Sequence, residues 1–282
     1  MTMKTKNLLL SIPVYLLLTF FAVIIIFPIF YIILSSFKST ADILTSTTFF
    51  PTSISFDNYV RAWKLSNFQT YMWNSIFMCS FIVVGTIITS ITSGYVFSRS
   101  SFRGKNLILL IITSSMFISA GSLYLFPQLK IAKLLHINTS LWGVIIIYIF
   151  GINVTNLYIS KGFIDSIPKE IDEAARVDGC SFFRIFYNII FPLTKPLIAT
   201  VGLLSFMNSW NDYLLPMVFT LGNPKSQPLV VGIISMKSSG ETISSWDLMM
   251  AGTTMAVVPM LIVFICLNKY FVAGLTSGAV KG

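Results

Sequence analysis

Charge is scarce in this chain. Only 10% of its 282 residues are Asp, Glu, Lys or Arg, against about 25% in an ordinary soluble domain. So few charges cannot cover a water-facing surface, and a bilayer is the expected solvent. Histidine is rarer still: His136 stands alone, with no ligand cluster around it. The three cysteines, Cys79, Cys180 and Cys266, show neither metal-ligand spacing nor a disulfide framework. Zinc chemistry and histidine-based triads are therefore excluded as readings, and no cofactor is expected. No G-x-x-x-x-G-K-[ST] phosphate loop occurs, so the chain is not expected to hydrolyse ATP or to act as an enzyme on its own. The net charge of +9 does not require nucleic acid as a partner. A positive-inside bias beside anionic lipid headgroups accounts for it.

What the chain has in abundance is apolar sequence. Hydrophobic residues make up 55% of it, and its mean hydropathy is +0.82. At about 20 residues per crossing, six runs read as transmembrane helices: Ile12 to Leu34, Thr70 to Val96, Leu107 to Phe126, Leu141 to Ile159, Leu197 to Leu221 and Met250 to Phe271. The first is longer than the core of a signal peptide and lacks a small-residue cleavage site. Gly85 and Gly94 in the second suit close helix approach. Between the first two runs lies a polar loop with a short amphipathic helix expected near Phe56–Trp63. Another polar segment, Gly222 to Asp247, separates the last two. The fold expected is an all-α polytopic membrane protein with six spans, one membrane domain covering 1–282. With both termini in the cytoplasm, twelve of the 19 Lys and Arg residues fall on the inner side.

The longest markedly polar interval between spans is Gly162 to Pro196, GFIDSIPKEIDEAARVDGCSFFRIFYNIIFPLTKP. Pro168 suits a first helical turn, and Glu170, Asp172 and Glu173 suit the positive end of a helix dipole. Gly179 falls where a helix ends on a left-handed residue. Ser181 is then the expected N-cap of a second helix, Phe182 to Phe191, stopped by Pro192. On its own, the first helix would be a solvated face with Lys169–Glu173 and Asp172–Arg176 as weak ion pairs.

This stretch resembles the cytoplasmic coupling loop of ABC-importer permeases. The family's pattern is Glu-Ala-Ala, three residues, Gly, nine residues, then Ile-x-Leu-Pro. Here it reads Glu173, Ala174, Ala175, Asp178-Gly179, Ile189, Phe191 and Pro192, with Phe191 in the place of leucine. The flanking IPKEIDEAARVDG is most similar to the carbohydrate-uptake branch, and the resemblance extends more loosely over nearly the whole chain. It implies a multi-pass permease in a bacterial cytoplasmic membrane, forming half of a sugar pathway with a second homologous permease. A dimer of ATPase subunits would bind the ATP and dock on the loop 162–196. An extracytoplasmic solute-binding protein would deliver a carbohydrate, an oligosaccharide above all. The ending GLTSGAVKG is similar to that of one permease type in sugar importers, where it reaches into the ATPase dimer. Its glycines suit an extended peptide, as they would a frayed terminus.

The fifth run holds SFMNSWNDYLLPMVF. Asp212 is the one acid placed within a span, where a charge is costly unless it faces a partner or a water-filled cavity. Asn208, Trp210, Asn211, Asp212 and Tyr213 supply the amides, carboxylate and flat rings that suit sugar hydroxyls and C–H faces. These five are the substrate-pathway candidates. Pairing with a helix end or a partner subunit is an equal alternative for Asp212. Pro216 is expected to break the helix soon after. The alternative class is an ion-coupled secondary transporter with Asp212 as its ion-binding acid, against which stands the lack of a visible inverted repeat.

Overall fold

A computed structural model describes residues 3–45, 48–65, 67–118, 121–236 and 245–279. Among them every regular element is helical. In chain order these are α1 (Met3–Ser35), α2 (Thr40–Thr45), α3 (Asp57–Leu65), α4 (Phe68–Arg99), α5 (Lys105–Ser115), α6 (Leu125–Leu134), α7 (Leu141–Phe150) and α8 (Val154–Ser166). There follow α9 (Glu170–Val177), α10 (Phe182–Leu193), α11 (Lys195–Asn211), α12 (Leu214–Thr220), α13 (Leu229–Met236) and α14 (Trp246–Ala279).

Three helices, α1, α4 and α14, are long and apolar enough to cross a membrane. Two bent pairs, α7 with α8 at 43° and α10 with α11 at 77°, raise the number to five if each pair crosses once. The run from Leu107 to Phe126 does not form one continuous helix. Its helical part, α5, ends at Ser115, and 11 residues rise only about 16 Å. At its end the hydroxyls of Thr113 and Ser115 donate to the carbonyls of Leu109 and Ile112. Beyond them Met116, Phe117 and Ile118 bond three residues back rather than four, and the helical ladder stops.

The fourth run is broken at Gly151–Asn153. The Asn153 side chain accepts the N–H of Asn156 at 2.9 Å and so caps α8. The fifth run breaks at Asp212 and Tyr213, one turn ahead of Pro216 rather than at it. A proline ring collides with the carbonyl four residues earlier, here Asp212, so the break falls there and Pro216 sits in a new first turn. The last helix runs through Gly274 and Gly278 to Ala279, so that part of the tail is helical, not extended. Residues 280–282 lie outside the described residues.

The chain divides into two compact units. One comprises residues 1–68 and 233–257. Its small core is Ala62, Leu248 and Ala251, with Tyr59 and Met255 packed against it. Arg61 pairs with Asp247 at 2.9 Å, and the Thr40 hydroxyl donates to the same carboxylate at 2.8 Å. Helix α3 is the amphipathic helix expected near Phe56–Trp63; α2 was not anticipated. Along α1, from Pro13 to Phe30, every residue lies exposed, as a lipid-facing helix requires.

The other unit comprises residues 69–232 and 258–282. Its core around the loop is Ile91, Tyr95, Ile164, Ala175, Ile185, Phe186, Ile190, Leu197 and Val201. Gly94 lies against Ser160, where a Cβ would stand 2.6 Å from the serine Cβ, and Gly85 lies against Ile149. Close approach is the use expected of both glycines.

Candidate functional site

The interval 162–196 folds as two helices around a tight turn. Helix α9 carries Glu170, Asp172 and Glu173 in its first turn. Gly179 has φ +79°. Its N–H bonds the carbonyl of Arg176 at 3.0 Å, and that of Cys180 bonds Ala175 at 2.9 Å. These two bonds make a Schellman ending, with glycine at the left-handed position. Ser181 then caps α10, its hydroxyl accepting the N–H of Arg184 at 3.4 Å.

Pro192 does not stop α10, which continues to Leu193 before the turn at Thr194. Instead the helix widens into a π-turn over Phe186–Ile190. Proline lacks an N–H and crowds the carbonyl four residues back, and a five-residue register relieves both.

The two faces of α9 differ. Ala175 is buried in the core of the unit, while Glu173, Ala174, Asp178 and Gly179 are exposed. Ile189 packs against that core, and Pro192 is exposed. Val177, Phe183 and Tyr187 add three exposed apolar side chains to the loop surface. Sequence reading passed over them because apolar residues there resembled packing.

The ion pairs expected on α9 do not form. Asp172 is buried, with Oδ2 3.0 Å from Arg99 Nε at the end of α4, and the two side chains are only 5% and 3% exposed. Among the described residues, Lys169 and Glu173 make no salt bridge. Arg99 ends α4. Its Nη2 also donates to the Ile167 carbonyl at 2.7 Å, where α8 ends. The Asp172 contact is a charge contact rather than an aligned hydrogen bond, since both carboxylate oxygens and Arg99 Nε lack hydrogen-bond partners. Separating such a buried pair by removing one member costs about 3–5 kcal/mol.

At the other end of α11, roughly 25 Å away along the helix, lie the polar residues of the fifth run. Asp212 ends α11 in an extended conformation, φ −70° and ψ 130°. Its Oδ2 accepts the Tyr148 hydroxyl of α7 at 2.9 Å. Asn208 and Asn211 are exposed, Asn211 donating its amide to the Met207 carbonyl at 2.8 Å. Tyr213 is half-buried. Trp210 is buried and stacks on Phe206, centroids 5.3 Å apart. It lines an apolar cavity of about 680 Å³ with Ile76, Cys79 and Val263. The five candidates thus divide: two amides outward, the indole inward, and the carboxylate and Tyr213 at the helix break. Tyr148 carried no sequence signal, because only the packing of α7 on α12 brings it to Asp212.

These features define a multi-pass helical membrane protein with a loop helix mounted on the end of α4. The family model for the binding-protein-dependent transport system inner membrane component matches residues 3–277. The chain is 34% identical over 283 residues to the galactooligosaccharides transport system permease protein GanQ of Bacillus subtilis, covering 99% of each. To the maltodextrin transport system permease protein MdxG of the same organism it is 33% identical over 287 residues, covering all of both. A crystal structure of a bacterial ABC transporter involved in the import of the acidic polysaccharide alginate matches with a TM-score of 0.80 at 27% identity, over 94% of this chain and 98% of that one.

The chain belongs to this family: it is a permease subunit of a binding-protein-dependent ABC importer, an inner-membrane, multi-pass component. Such subunits carry no cofactor and no nucleotide-binding domain, so hydrolysis belongs to a separate ATPase. The ion-coupled alternative built on Asp212 falls with that membership.

Proposed function

We propose that this permease carries a sugar, and an oligosaccharide in particular, as half of a pathway completed by a second homologous permease. Two ATPase subunits dock on its loop 162–196 and an extracytoplasmic binding protein delivers the substrate. The names of GanQ and MdxG support the substrate class. In this reading residues 1–282 form one permease domain with six crossings and both termini in the cytoplasm. The third crossing is then shared between α5 and the segment leading into α6.

One observation carries the coupling role. Glu173, Ala174, Asp178 and Gly179 stand exposed on a helix whose opposite face is fixed by Ala175 and Asp172. A helix held on one side can be pushed from the other without unwinding. ATPase closure would press on α9 and shift the spans between inward- and outward-facing states, which requires contacts that differ between the two. Asn208 and Asn211, exposed beside the break in the fifth run, offer donors and acceptors to sugar hydroxyls.

The test is uptake of maltodextrin and galactooligosaccharide by the reconstituted complex with ATP inside. Glu173→Ala is expected to assemble normally and lose transport, since a charged hydrogen bond of about 1.5–3 kcal/mol corresponds to roughly 10- to 150-fold. Uptake driven by an ion gradient without ATP would overturn the reading.

A further inference from the structure

The last turns of α4 reach every part of the loop. Gly94 admits the backbone of Ser160 on α8. Ser98 donates its hydroxyl to Asp165 at 2.6 Å, the carboxylate that also holds Lys161. Tyr95 packs its ring on Phe182 and Phe186, with centroids 4.6 and 4.9 Å apart, and directs its hydroxyl at the Phe182 carbonyl. Arg99 grips both sides of the corner between α8 and α9, through the Ile167 carbonyl and the Asp172 carboxylate.

We infer that Arg99 and Asp172 are positioning residues for coupling: their buried pair fixes α9 to the end of α4, so that a push on α9 enters that span directly. The inference rests on the docking role proposed above. Without the pair, α9 would hang from its flanking turns and from Ala175 alone. Arg99 Nη1 and both Asp172 oxygens have no hydrogen-bond partner. The grip is therefore electrostatic, and a neutral pair of similar shape cannot reproduce it. Removing both charges also removes the cost of leaving one buried alone, which separates position from folding.

The experiment uses the complete importer in nanodiscs. Co-purification reads assembly, and amide exchange over residues 170–177 reads the mounting of α9. Mg-ATP hydrolysis with binding protein loaded from maltotetraose and galactotetraose reads coupling. Asp172→Asn alone is expected to reduce assembly. The double variant Arg99→Gln/Asp172→Asn is expected to assemble at wild-type yield, exchange at least tenfold faster over 170–177, and lose at least tenfold in stimulated hydrolysis. Arg99→Lys, which keeps the charge, should recover part of both. A double variant with wild-type exchange and stimulation would overturn the inference. So would one that fails to assemble, because the pair would then hold the fold rather than the loop's position. The exchange arm needs no sugar. A wild-type complex that these sugars fail to stimulate would count against the carbohydrate reading while the exchange result still decides the role of the pair.

Discussion

Tyr148 donates its hydroxyl to Asp212 at 2.9 Å, joining α7 to the point where the fifth run breaks. Asp212 ends α11, and its carboxylate holds α7 there. Asp212→Asn keeps an acceptor for the tyrosine and is expected to retain substantial ATP-driven uptake. Asp212→Leu leaves the Tyr148 hydroxyl unpaired, at about 1–3 kcal/mol. It is expected to lose both transport and thermal stability. Tyr148→Phe should behave like the Asn variant. Equal uptake and melting temperature in Asp212→Leu and wild type would refute the role of this contact.

The two alanines of the loop motif face opposite ways, so the same substitution should separate them. Ala175→Leu forces a large side chain into a packed core, at about 1–3 kcal/mol, and should lower the stability of the isolated permease. Ala174 is exposed, so Ala174→Leu should leave stability unchanged while weakening co-purification with the ATPase. Comparing melting temperature with pull-down yield measures both effects. Similar stability losses at the two positions would contradict the orientation of α9.

Gly179 needs no empty space, for a Cβ there would meet nothing within 4 Å. Only its φ of +79° restricts it. Left-handed backbone costs most residues about 1–2 kcal/mol, and asparagine less. Gly179→Asn is therefore expected to keep most transport, and Gly179→Val to lose it through a displaced α10. A valine variant with wild-type uptake would show that the turn tolerates another ending.

The segment Gly222–Asp247 is expected to meet the binding protein. Ser239, an obvious position for a probe, lies outside the described residues, but the turn Pro224–Ser226 does not. Asn74 holds that turn by donating to the carbonyls of Lys225 and Gln227, at 2.8 and 2.9 Å. A cysteine at Lys225 should cross-link to bound binding protein, with no cost to folding because only the backbone of Lys225 is held. A scan of the segment without any cross-link would assign delivery to the partner permease alone.

Membrane residence, the loop and its local signals were all legible in the chain. A scarcity of charge forces the bilayer as solvent whatever the fold, and Gly179 and Ser181 act through backbone bonds a few residues away. These effects are local, so the order of residues determines them. The partners of Asp172, Asp212 and Tyr95 were not legible. Asp172 looked like half of a surface pair with Arg176, because sequence offers only neighbours three or four positions away. Its actual partner, Arg99, lies 73 positions earlier and meets it only where α4 and α8 pack closely at Gly94. The breaks in the third and fourth runs escaped for a related reason, while the break expected at Pro216 in the fifth fell one turn earlier, at Asp212. Hydropathy measures how apolar a stretch is, not where its backbone ladder stops. Which buried charge finds which partner is a property of helix packing, and tertiary structure alone decided it.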